Sequence, residues 1–574
     1  MARYWQILKK YKISLIISPF LVLIFVICET TQPWLMAKIV DEGVMPKDIS
    51  VVTRTGIYMI LVALVSLTVS IINVYISSRT SIRFGTDLRT SLFDKIQQLS
   101  FSNIDRFSSA SLITRLTNDI SRIQQVVLMT MRIFLRSPMM LVMALFYVIR
   151  INAGLAMVLL IAIPILGISV YIILKKGFPL FIKVQEKIDN LNAIVRENLI
   201  NIRVVKSFVR EDFETQKFSE KNVDLQDTVI KASNLIVTIF PLMQFVMNMS
   251  IIAILWVGGN KITAGELKVG ELISFVNYLM QILMSLMIMS MVIMTIARAT
   301  ASSRRILEVL DTEPSLQNTQ EGLSDKNRID IGEIEFRNVC FRYSGGETDV
   351  LHNISFRIHP GETIAVVGAT GSAKTTMVQL IPRLYDATKG EVLIDNRNVK
   401  EYNLNEIHDK VGMVLQKNEL FTGTIAENLR WGKPDATQQE LEEAARTAQA
   451  HDFIMSFTEG YETLLGRGGV NLSGGQKQRL TIARALLRKP KILILDDSTS
   501  AVDLTTEQRI RNNLTTLLEN TTVLVITQRI NTMQAADRII VLEDGEIDAI
   551  GSSSELMEKS EVYREIFNSQ QSLS

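Results

Sequence analysis

The 574 residues are 47% apolar and 21% charged, with a mean hydropathy of +0.22 and a formal net charge of +2. The length exceeds one hydrophobic core, the apolar share is high for a wholly soluble chain, and the charged share is too high for a chain buried in lipid from end to end. Near-neutral charge gives no footing for a nucleic-acid partner, so the expectation is none.

In chain order, residues 1–12 come first, with Arg3, Lys9 and Lys10 among Tyr4, Trp5 and Leu8. That pattern suits a segment lying along a membrane interface or a basic flank. A helix crosses a bilayer with about 20 mostly apolar residues. Six stretches qualify: 13–40, 56–77, 127–149, 155–174, 235–257 and 271–297. The first carries Pro19 and Pro33 as candidate kinks and the polar Glu29 and Lys38. Its first apolar run ends in Glu29-Thr30-Thr31-Gln32 with no small-residue cleavage site, so the stretch is expected to be a span, not a leader. Cys28 and Cys340 read as free thiols.

The connections 79–125 and 177–234 are long and hold seven and nine Lys/Arg. Basic residues accumulate on the cytoplasmic side, which puts both connections and both termini inside. Neither Gly nor Pro occurs from Thr86 to Ser137 or from Leu180 to Phe240. The spans are therefore expected to continue as helices far beyond the bilayer, turning back at tips near Ser100–Ser109 and Lys206–Phe213.

The last two spans are rich in methionine (Met243, Met247, Met249, Met280, Met284, Met287, Met289, Met291, Met294), with Gln244, Asn248, Asn277 and Gln281 on the same helices. A flexible thioether wall suits varied small amphipathic substrates; ordinary helix packing accounts for any single residue as well. Glu29 either attracts cationic substrates or pairs with a base on another helix. Asp41 and Glu42 suit an external gate or a solvated loop.

Residues 311–333 read as a polar linker. From Ile334 onward short apolar strands alternate with helical stretches, the pattern of an α/β domain. Strand Thr363–Val367 runs into Gly368-Ala369-Thr370-Gly371-Ser372-Ala373-Lys374-Thr375-Thr376. A glycine-rich turn opening a helix lets backbone N–H groups surround phosphate oxygens, with Lys374 on the β/γ-phosphates and the Thr375 hydroxyl on Mg²⁺. The motif calls for Gly where Ala373 stands; if φ there is negative the methyl group is accommodated, and nucleotide binding is expected to survive. A strand over Lys491–Leu495 leads to Asp496, a further Mg²⁺ candidate. Between them lie Gln416, after strand Val411–Leu415, and Leu472-Ser473-Gly474-Gly475-Gln476.

With these motifs in this order, the segment from about Ile334 resembles the nucleotide-binding domain of the ATP-binding cassette (ABC) family. The first 305 residues resemble the six-helix domain of its exporter branch. The resemblance implies a fold: an all-α six-helix transmembrane domain (1–310) with long cytoplasmic helix extensions, the linker, and an α/β P-loop nucleotide-binding domain (334–574). It also implies ATP and Mg²⁺ as cofactors. Tyr343 matches the adenine-stacking aromatic, Gln416 the Q-loop glutamine that reaches the metal, Leu472–Gln476 the signature pentapeptide and Asp503 the D-loop. Two positions depart from the pattern. Asp497 stands where the family has a catalytic glutamate, and Gln528 where it has a histidine on the γ-phosphate. Arg467 replaces a frequent acid.

Members work in pairs, each ATP lying between one P-loop and the other signature. The expectation is a heterodimer: this chain's own site hydrolyses poorly, while Ser473 and Gly475 act on the partner-site ATP. The partner is a homologous half-transporter with Glu and His at the matching positions. The implied work is export of amphipathic or hydrophobic compounds across a bacterial plasma membrane, both termini cytoplasmic. The alternatives are a homodimeric lipid flippase, a peptide exporter, or an ATP-gated membrane protein that does not pump.

Overall fold

The computed structural model describes residues 2–316, 328–517 and 520–571. The middle of the expected linker, 317–327, and the side chains of Met243, Met291 and Met294 lie outside the described residues. The chain forms two compact units, Met1–Lys95 with Ala110–Asp311, and Ile96–Ser109 with Thr312–Ser574.

The first unit is helical. It comprises α1 (Ala2–Leu8), α2 (Lys12–Lys38) and the 50-residue α3 (Ile49–Gln98). Next, α5 (Ser109–Thr114), α6 (Ile120–Met129) and α7 (Arg136–Ile151) join through two π-helical segments, after the short α4 (Phe101–Phe107) of the second unit. The 48-residue α8 (Ala153–Ile200), α9 (Ile202–Ser207), α10 (Glu211–Val237), α11 (Ile239–Thr263) and α12 (Val269–Asp311) complete it. Among the described residues five helices are long and apolar enough to cross a membrane, matching five expected spans; the remaining expected span, 155–174, falls within α8. The uninterrupted α3 and α8 bear out helices running on past the apolar stretch. The second tip falls at α9 and the turn 208–210, starting earlier than expected, because Asn201 ends α8.

Helix α12 is bonded to α2 turn after turn. Asp41 Oδ1 accepts from Gly270 N at 2.7 Å, Ser274 Oγ donates to the Pro33 carbonyl, and Tyr278 Oη donates to the Thr30 carbonyl at 2.6 Å. Gly270 is required there: a Cβ would sit 2.4 Å from the Ala37 carbonyl. At the other end of α12 the buried Asp119 accepts from Ser302 Oγ (2.8 Å) and Arg305 Nε (2.7 Å).

The second unit has three sheets. Strands β1 (Ile334–Phe341), β2 (Leu351–Ile358), β4 (Lys389–Ile394) and β5 (Arg397–Asn398) form an antiparallel sheet ordered β2-β1-β4-β5. Strands β3 (Thr363–Gly368), β6 (Val411–Val414), β9 (Ile492–Asp496), β10 (Thr522–Ile526), β11 (Arg538–Glu543) and β12 (Glu546–Gly551) form the central sheet, ordered β12-β11-β3-β10-β9-β6. Strands β7 (Gly423–Thr424) and β8 (Leu464–Leu465) make a small third pair. The central sheet is parallel from β11 to β6 and buried on both faces. Ile364 and Val366 of β3 pack against β1 and β2, while Ala365 and Val367 pack against Leu556 and Tyr563. That two-sided burial explains the unbroken apolar runs of β3 and β9.

Candidate nucleotide site and signature surface

Ligands of parallel α/β sheets bind beyond the carboxyl ends of the strands. Register aligns Val366, Ile526 and Asp496 across β3, β10 and β9. The next residues of each strand therefore converge: the glycine turn after β3, Asp497 after β9, Thr527-Gln528-Arg529 after β10, and Gln416 beyond β6. The sequence-predicted residues of the P-loop site are thus brought to one edge by topology alone.

The turn Ala369–Ala373 leads into helix Lys374–Gln379. Lys374 Nζ folds back onto the carbonyls of Gly368 (3.0 Å) and Ala369 (2.7 Å) and onto Ser372 Oγ (3.2 Å). Burial lowers its pKa, opposed by Asp496 and Asp497. Gly368 has φ 153°, and a Cβ there would meet the Leu542 carbonyl at 2.2 Å, so only glycine fits. Tyr343 is half-buried, its hydroxyl 2.9 Å from Thr376 Oγ1 and its ring edge-on to Tyr385 at 5.4 Å.

Ala373 departs from the expectation of negative φ. It occupies the left-handed region at φ 68°, ψ 20°, which is where glycine carries no Cβ penalty. The methyl group costs roughly 1 kcal/mol of backbone strain. Ala373→Gly is therefore expected to tighten nucleotide binding by up to about fivefold, equivalent to about 1 kcal/mol. Titration with a fluorescent ATP analogue checks it; unchanged affinity would mean the turn already holds its binding geometry.

Asp496 is 1% exposed. Its Oδ1 accepts from Thr375 Oγ1 at 3.1 Å, while its buried Oδ2 has no hydrogen-bond partner among the described residues. Burial pushes this carboxyl above the usual range, with Asp497 adding repulsion and the Thr375 bond opposing. A buried anionic oxygen lacking a donor, beside a hydroxyl, is the donor set a hard cation takes, so the residues fit Mg²⁺. Because the folded pKa is raised, the native state binds the proton more tightly. The charge penalty is absent below the unfolded pKa near about 4 and grows as pH rises through the folded value. Without nucleotide, Asp496→Asn should be more stable than the parent by roughly 1 kcal/mol at neutral pH. The advantage should vanish near about pH 4. Thermal unfolding at both pH values reads it.

Asp497 also sits at positive φ, 46°, and its N–H donates to the Ile526 carbonyl at 3.1 Å. Burial raises its pKa, opposed by the Arg529 charge and by hydrogen bonds from Ser500 and Gln416. Gln528 is exposed.

Ser473 caps helix Gly474–Leu486, accepting from Gln476 N at 3.3 Å while Gln476 Oε1 accepts from Ser473 N at 2.9 Å. This reciprocal capping box leaves the first turn's donors aimed outward. Gly474 abuts Ala501, Leu472 is buried beneath the turn, and Asp503 caps the next helix through Thr506 N at 2.9 Å.

Sequence reasoning missed the groups that hold these loops. Arg529 donates to the carbonyls of Ser500 (2.8 Å) and Val502 (2.9 Å) and pairs with the buried Glu507, which also accepts from Thr499 and Thr532. Gln478 accepts from Ala501 N at 2.9 Å and donates to Ser500 Oγ at 3.2 Å. The D-loop is thus tied both to the segment bearing Gln528 and to the signature helix. Tyr385 donates to Asp105 Oδ2 at 2.7 Å and meets Phe101, so α4 docks beside the expected adenine aromatic. Only the adjacency of Arg529 to Gln528 was visible as a signal.

Comparison with known proteins agrees with this geometry. The family described as ABC transporter transmembrane region matches residues 15–286, and the ABC transporter family matches 351–500. The Bacillus subtilis uncharacterized ABC transporter ATP-binding protein YfiB is 41% identical over 99% of this chain and 98% of its own. The B. subtilis putative multidrug export ATP-binding/permease protein YgaD is 32% identical over 99% of each. An ATP-dependent lipid A-core flippase of Syntrophus aciditrophicus is 32% identical over 91% of this chain and 86% of its own. The solved structure of a bacterial Atm1-family ABC exporter with ATP bound superposes with a TM-score of 0.81 at 23% identity, covering 97% and 98%. A helical transmembrane domain followed by an α/β domain with a P-loop, in a chain this close to such relatives along its whole length, belongs to the ABC transporter family: it joins one transmembrane region to one ATPase domain, an ATPase coupled to transport.

Proposed function

We propose that this chain is the hydrolysis-impaired subunit of a heterodimeric exporter of amphipathic or hydrophobic compounds. One observation carries the reading: beside Ala373 in the turn, the P-loop site departs from the pattern at Asp497 and Gln528, and both are catalytic positions. Asp497 reaches about one methylene less far than glutamate, and a misplacement of about 1 Å can cost on the order of 100-fold. Gln528 offers a hydrogen bond but no charge to a γ-phosphate. ATP is then held on the turn 368–376 with its base on Tyr343, and stays largely uncleaved. Thr375 and Asp496 would hold Mg²⁺, with Gln416 beside them; when bound, the ion supplies charge neutralisation on the phosphates. Ser473 and Gly475, with Leu472, Gly474 and Gln476, complete the site of a partner that carries Glu and His. ATP closes the paired domains, and hydrolysis at the partner's P-loop resets them.

The basic connections support a reading with both termini and the ATPase domain in the cytoplasm of a bacterial cell. We take 1–310 as the membrane domain, 311–333 as linker and 334–574 as the ATPase domain. The multidrug-export name of one relative and the methionine-rich last spans support small amphipathic cargo. A lipid flippase is the second reading, favoured by the lipid A-core flippase relative. The test is ATP-driven flux in inverted vesicles containing the transporter. Uphill dye accumulation is expected; lipid translocation without dye flux would favour the flippase, and ATP binding with no uphill flux would sink both.

A further inference from the structure

Helix α2 holds Glu29 half-buried. It lies three residues after the buried Val26 and four before the buried Pro33, on the inward stripe of the helix and away from the exposed Phe20, Ile27 and Trp34. A charged side chain at mid-membrane costs roughly 3 kcal/mol unless it is compensated. Nearby cations are already engaged. Lys38 reaches Glu42 (3.7 Å), and the Arg136 guanidinium lies over the Phe25 ring at 4.4 Å, one turn from Glu29. Among the described residues Glu29 has no ion-pair partner.

A second, independent feature lies beside it. Pro33 has no N–H, so the Glu29 carbonyl four residues earlier loses its helical donor. Gln281 of α12 supplies one: its Nε2 lies 3.5 Å from that carbonyl. This use of the amide leaves Gln281 Oε1 buried without a donor among the described residues, on a side chain bonded to the backbone of the residue that bears the carboxylate.

We propose that Glu29 and Gln281 form the cation-recognition point of the transport pathway, taking amphipathic organic cations that carry an N–H donor. The inference rests on the small-molecule export reading. The cation's charge neutralises Glu29, and its N–H meets Gln281 Oε1. Pro33 is what ties the two residues, since a residue with an N–H at 33 would leave Gln281 no free carbonyl to bind.

The test uses the assembled transporter, purified through a tag on this chain and placed in lipid nanodiscs, with empty nanodiscs subtracted. Three probes are bound: ethidium (a cation with N–H donors), tetraphenylphosphonium (a cation without them) and Nile red (neutral). Glu29→Gln should weaken both cations by about tenfold or more and leave Nile red within about twofold. Gln281→Leu should weaken ethidium alone, by about threefold to fivefold. Glu29→Asp should keep the preference for cations, which separates lost charge from lost folding. Equal losses for all three probes, or no loss in Glu29→Gln, would overturn the proposal, the latter pointing to a base on the partner as the counter-charge. If the parent binds Nile red without preferring cations, this inference alone fails. If it binds no probe and transports none, the small-molecule export reading fails with it.

Discussion

Purified in lipid, the Asp497→Glu variant is expected to hydrolyse ATP about 100-fold faster than the parent chain. Apart from Ala373 and Gln528, the elements of the site are in place: the turn after β3, Thr375 against Asp496, and Gln416 beyond β6. The added methylene moves the carboxylate toward the γ-phosphate end of the P-loop without disturbing the N–H bond to Ile526. There is a small cost. Residue 497 lies at φ 46°, a region that aspartate enters more readily than glutamate, so the variant should lose up to about 1 kcal/mol of stability. Intact ATP binding without a rate gain would shift the defect to Gln528, and Asp497→Glu with Gln528→His is then the informative pair. Parent turnover on the order of 10 per second, the median of ordinary enzymes, would remove the heterodimer reading.

In the assembled transporter, Gly475→Ala should lower ATPase activity by about 100-fold while this chain's own P-loop still binds ATP. A Cβ at Gly475 would stand 2.8 Å from the Ala501 carbonyl, and backbone cannot yield as a flexible side chain can. The D-loop has little room to retreat, since Gln478 holds Ala501 N and Arg529 holds the carbonyls on either side. The signature's first turn would be displaced from the partner-bound phosphates, where a missing donor costs several kcal/mol. Steady-state ATPase and nucleotide titration separate the two effects. Equal loss of both would mean that the domain had misfolded, and full activity would mean that this signature completes no working site.

The chemistry of this chain was legible wherever a function is written in consecutive residues. The turn 368–376, the pentapeptide 472–476 and the pair Asp496-Asp497 each complete a local task, and apolar runs before them mark the strands that carry them. The Gly- and Pro-free stretches announced that helices run on past the apolar spans. Less readable was the second tip, because α8 breaks at Asn201, a residue with no strong breaking signal.

Sequence by itself therefore determined the family and the order of the domains, and it named the candidate ATP-handling residues, since those depend on spacing along the backbone. Tertiary structure decided what depends on distant residues meeting. The left-handed φ of Ala373 is imposed by the turn it closes. Arg529 clamps the D-loop only because β9 and β10 are neighbours in one parallel sheet, and Tyr385 finds Asp105 some 280 positions away. Gln281 answers a carbonyl that Pro33 set free 252 residues earlier in the chain. A hydrogen bond carries no trace of its partner in the local pattern, so such pairings become visible only once packing has placed both groups within reach.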